Sequence, residues 1–190
     1  MFRRASSLVT AALLFATAAC NNPAPQKAEL ERMARSMQSM GEPVKFETLQ
    51  EYLPSAEFLK QDGWQKTEMT GMALSVPVKG SQAQVTIRKG DTEIVVDIID
   101  TVFNQSLYAP VAAFLASGFS VKNDTGHKKA ITIQNQPAFE EWALTDRRAS
   151  ITVLVGERFL VHLQGKGFSG TDPVKAVASQ INMAKLATLK

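Results

Sequence analysis

The chain has 190 residues, 45% of them hydrophobic and 21% charged, with a formal net charge of +3. That composition suits one globular domain with a real core and excludes a low-complexity or disordered protein. A single Cys, Cys20, excludes an intramolecular disulfide, and no basic tract with interleaved aromatics points to nucleic acid.

The first residues are the most informative. Arg3 and Arg4 make a positive start, and Leu8 to Ala16 is an apolar run, shorter than the ~20 helical residues a bilayer span needs. Small residues follow, Thr17, Ala18 and Ala19, and then Cys20. Charge, apolar core and small residues in that order form a secretory signal. Ala18-Ala19-Cys20 resembles the lipobox of bacterial lipoproteins, departing from it at Thr17, where the family has a larger aliphatic residue. The resemblance implies that residues 1–19 are removed as a signal peptide and that Cys20 carries diacylglycerol and a further fatty acyl chain of the palmitate kind. The alternative is a plain secretory signal that leaves Cys20 free. Two or more acyl chains hold a protein stably, at about 0.8 kcal/mol per buried CH₂. Removing nineteen of the 190 residues leaves 171, and losing Arg3 and Arg4 brings the net charge near +1. Asn21 stands where an Asp resembles the inner-membrane retention signal, which points to the periplasmic side of the outer membrane. Residues 20–26, with Pro23 and Pro25, read as an extended lipidated tether.

Residues 27–190 read as a single domain that begins with an amphipathic helix over 27–41. Leu30, Met33, Met37 and Met40 share one face, and Gly41 is the stop. This stripe is the candidate partner-binding element. Its alternative is to cover a sheet over Val95 and Ile99. Residues 47–61 read as short helical turns interrupted by Pro54. Met72, Leu74, Val76 and Val78 alternate, and Pro77 predicts an edge strand. Residues 82–89 and 92–101 predict a hairpin with Gly90-Asp91 as its turn. Ile87 then faces Ile94, Val85 faces Val96, Ala83 faces Ile98 and Arg88 faces Glu93. The run from Ile94 to Ile99 predicts a central strand covered on both faces. Residues 106–117 read as a helix with Leu107, Val111, Phe114 and Leu115 inward. Strands are predicted near 128–134, 138–145, 149–155 and 158–165, with Val155 opposite Phe159. Asp172 then caps a helix that has Pro173 at its first position and Val174, Val177, Ala178 and Ile181 as its buried stripe.

The order is α+β, a mostly antiparallel sheet of about seven strands packed with helices. Over residues 47–188 it resembles the PsbP-like fold group, which implies an α/β/α sandwich. Gln136-Pro137-Ala138-Phe139-Glu140, Val155-Gly156-Glu157-Arg158-Phe159-Leu160-Val161 and Lys185-Leu186-Ala187 are similar to a family of uncharacterised exported bacterial proteins. That second resemblance implies a fold and no activity.

Chemistry is sparse. His127 and His162 have no metal-site spacing, and His127 follows the turn-like Asn123-Asp124-Thr125-Gly126. Glu93 and Asp97 share a strand face, with Arg88 as a partner for Glu93, whereas Glu140 and Glu141 point to opposite faces. Ser169 lacks a nucleophile elbow, and Gly165 to Gly170 is no phosphate loop. No catalytic residue, metal or cofactor is assigned. The leading expectation is a membrane-held binding or accessory domain that engages a protein or envelope complex. A small-molecule or Cu(I) site using Met33, Met37, Met40, Met69 and Met72 is the second. A hydrolase using dispersed carboxylates and His162 is the third.

Overall fold

Period-two alternation and tight turns build the molecule around one sheet. The computed structural model describes residues 41–74, 79–102 and 105–189. Two short helices, α1 (Phe46–Gln50) and α2 (Ala56–Gln61), lead into strands β1 (Gln65–Leu74), β2 (Gly80–Lys89) and β3 (Thr92–Asp100). Helix α3 (Gln105–Ala116) precedes β4 (Ser120–Asn123), β5 (Gly126–Ile133), β6 (Gln136–Ala143), β7 (Arg148–Val155) and β8 (Phe159–Lys166), and α4 (Asp172–Ala178) and α5 (Met183–Leu186) close the chain. The eight strands lie in the order β1-β2-β3-β8-β7-β6-β5-β4. Every neighbouring pair is antiparallel. The fold is α+β.

The hairpin registers follow from turn chemistry. Gly90, at φ +57°, supplies the left-handed backbone that a two-residue turn needs. Ile87 pairs with Ile94, Val85 with Val96, Ala83 with Ile98 and Arg88 with Glu93. Val155 pairs with Phe159 across Gly156-Glu157-Arg158. One face of the sheet is therefore wholly apolar at its centre: Val85, Ile87, Ile94, Val96, Ile98, Ile151, Val153, Val161 and Leu163 are all buried. Val174, Val177 and Ile181 pack onto that face, with Leu49, Leu59 and Trp64 from the other end of the chain. Each such side chain contributes about 1.5–3 kcal/mol.

β3 is central, between β2 and β8, but its second face is not the greasy surface its sequence suggests. Val95 and Ile99 are only half-buried. Between them, Gln84, Asp97, His162 and Thr152 form a polar row across β2, β3, β8 and β7. Further along, the Phe114 ring of α3 sits 4.5 Å from Phe119 and 4.8 Å from Phe139. Phe139 neighbours the buried Ala138 and Glu140 in β6, so α3 lies on the face opposite the main core.

The structure corrects several expectations. The sheet has eight strands in place of about seven, because Ser120–Asn123 pairs with β5. All four of its residues are exposed, so they carry no apolar alternation to betray them. β1 begins at Gln65, within a polar stretch. It is an edge strand, as expected. Thr171, not Asp172, is the cap of α4, because the Thr171 carbonyl takes the first intrahelical bond from Lys175 N at 3.0 Å. The signal segment 1–19, Cys20 and its tether, the stripe of Leu30, Met33, Met37 and Met40, and Val76, Pro77 and Val78 lie outside the described residues. No described helix is long and apolar enough to cross a membrane.

Candidate functional site

An open groove of about 780 Å³ runs between α1, α2 and edge strand β1. Its position follows from local chemistry. Ser55 caps α2 by accepting from Phe58 N at 3.2 Å. α2 then ends at Gly63, whose φ of +74° turns the chain back into β1. The floor is apolar: Leu53, Leu59, Trp64, Met69 and Val85. Trp64 is held from below by Phe168, ring centroids 6.3 Å apart. It is flanked by Lys89, whose Nζ lies 5.9 Å from the ring and donates to the Asp62 carbonyl at 2.6 Å. The lining carries charges of both signs: Glu47 of α1 and Glu51 at its C-cap, Lys60 of α2 and Lys66 of β1. None of these four charges has an ion-pair partner among the described residues. At one end, the Phe46 ring lies directly on Gly71, where any side chain would collide with it.

The titratable residues noted in the sequence are dispersed. Arg88 Nε donates to Glu93 at 2.6 Å. Asp97 is 8% exposed and accepts from both Gln82 and Gln84, at 2.6 and 2.7 Å. Its cross-strand neighbour His162 bonds Thr152 through Nδ1 at 2.9 Å. Burial pushes the His162 imidazole below its ordinary value, against the opposing pull of Asp97 and Glu141. Met69 pairs with the buried Val85, and Met72 with Gln82 on the other face. The two thioethers point to opposite sides of β1 and do not share a ligand position. Among the described residues, no three His, Cys, Asp or Glu side chains converge as a metal site.

Two charged centres are invisible to motif reading. Glu140, 1% exposed, projects from β6 onto the core face. His127 Nε2 lies 2.6 Å and Lys129 Nζ 3.2 Å from its Oε1, and Lys175 Nζ lies 2.9 Å from its Oε2. Burial alone would raise this carboxyl, but hydrogen bonds from Lys175, His127 and Lys129 outweigh it and hold the pKa down at about 2. Lys175 is in turn raised: burial opposes its charge, and the bonds to Glu140 and Asp172 more than compensate. The cross-strand pairing of Lys129 with Glu140 was the available signal. The second centre is Arg158, which grips Asp100 with two bonds, Nε to Oδ1 at 2.8 Å and Nη2 to Oδ2 at 2.7 Å. Asp100 also accepts from Val44 N and Val102 N, both at 2.8 Å, and Arg158 donates to the Glu42 carbonyl at 3.1 Å. A polar turn gave no hint that its arginine would be 3% exposed. Both centres serve as structural ion pairs.

No protein-family model, no curated protein and no solved structure matches this chain.

Proposed function

We propose that the protein is a lipid-anchored binding or accessory domain of the cell envelope, held on the periplasmic side of the outer membrane and engaging a protein or an envelope complex. The observation that carries this reading is the N-terminal order of Arg3-Arg4, an apolar run, Ala18-Ala19 and then a single Cys at position 20. The groove beside β1 supports a binding role: it offers apolar area lined by unpaired charges of both signs. The antiparallel sheet carrying helices supports the finer assignment to a PsbP-like α/β/α sandwich. The segment 27–41, with Leu30, Met33, Met37 and Met40, remains the candidate partner-binding element outside the described residues.

Mass spectrometry of the protein purified from membranes tests the anchor. The expected N-terminus is Cys20 carrying three acyl chains, or two if the amino group is free, and Cys20→Ala is expected to release the protein from the membrane fraction or leave its signal uncut. A mature protein that begins elsewhere, or bears a free Cys20 thiol, overturns the reading.

A further inference from the structure

We propose that the groove and the free edge of β1 together bind a short extended segment of a partner protein, with one large apolar side chain over Trp64 between a basic and an acidic residue. The inference deepens the binding role above and depends on it only in that the partner is another protein.

Three observations point to a polypeptide. First, among the described residues β1 ends the sheet and its outer backbone groups have no strand partner, and an added strand is the chemistry that satisfies such an edge. Second, Met69 is 45% exposed and pairs with Val85 in the groove floor. A strand laid on this edge turns every second side chain toward that floor. Third, unpaired charges of both signs line the groove, Glu47 and Glu51 from α1 and its C-cap and Lys60 and Lys66 from α2 and β1. Those charges select a segment that carries both a base and an acid.

The edge is also limited. A bulge interrupts pairing between Lys66 and Glu68, and the Gln50 carboxamide donates to the Thr70 carbonyl at 3.4 Å. Both features stop open-ended sheet growth, which suits a short segment better than the whole edge of a second copy.

The test is a random short-peptide phage library panned on the purified mature protein in detergent micelles. Enriched peptides are expected to carry a base and an acid on either side of a large apolar residue. Met69→Glu is expected to weaken them by about tenfold or more, roughly 1.4 kcal/mol, whereas Val121→Glu, at an exposed position on β4 at the far edge of the sheet, leaves binding unchanged. Glu51→Lys is expected to remove the preference for the base. Absence of enrichment, peptides without the charge pattern, or equal loss in the Met69→Glu and Val121→Glu variants overturns the proposal, as does a dimer of the chain cross-linked through β1. The outcome is independent of Cys20: selection of such peptides by a protein with a free Cys20 keeps the groove and discards the anchor.

Discussion

Glu140 is the residue at which the sequence is least intuitive. A carboxylate on the core face of a sheet costs several kcal/mol in desolvation unless partners surround it, and here His127, Lys129 and Lys175 do so. Its folded pKa of about 2 lies below the ordinary 4.5. The stabilisation is therefore fully present above pH ~4.5 and fades as the pH falls toward 2; a shift of this size corresponds to about 3 kcal/mol. Glu140→Gln is expected to lower stability at neutral pH by about 2–3 kcal/mol and to flatten the loss of stability between pH 5 and about 2.5. Urea denaturation across that range measures both, and an unchanged acid limb would show that the carboxylate is not what titrates. Glu140 and Glu141 were separable from sequence because strand alternation sends neighbours to opposite faces. That the buried one gathers His127 and two lysines was not separable, since Lys175 arrives from a helix far along the chain.

Among the elements, those with strong alternation and a diagnostic turn were legible. The β2–β3 and β7–β8 registers follow from where Ile, Val and Phe must point, because a one-residue slip reverses every side chain. The first half of β1 and all of β4 were not legible: as exposed edge segments they need no apolar face. The cap of α4 slipped by one residue because Thr171 and Asp172 are both good cap residues by type, and only the backbone bond decides between them. The join between β8 and α4 depends on a missing side chain. A Cβ on Gly165 would lie 2.5 Å from Val174 Cγ2 and 2.8 Å from the Phe168 ring. Gly165→Ala is expected to push α4 off the sheet and cost about 1–3 kcal/mol, read as a shifted urea midpoint with an unchanged slope. A neutral result would mean that Phe168 swings clear at no cost.

For the molecule as a whole, composition and the first twenty residues suggest where it works, and periodicity gives most of its sheet. The groove stayed hidden because it is a product of tertiary structure. Trp64 is one aromatic after a helix stop, and only folding brings it beside Met69 and Val85. The clamp at Asp100 and Arg158 carries a further consequence, in mechanics. Through Glu42 and Val44 it fastens the N-terminal side of the domain to the ends of β3 and β8, two interior strands of the sheet, not to an outer strand. A load applied at the N-terminal end of the domain therefore meets interior strands, which must slide past their neighbours together, and no free margin from which to peel them singly. Arg158→Ala, which leaves a fully buried Asp100 without its counter-charge, is expected to cost about 3–5 kcal/mol and to lower the rupture force in optical-tweezers pulling from the N-terminus more than in pulling between β1 and β4. Equal reductions in both directions would take the clamp out of the load path.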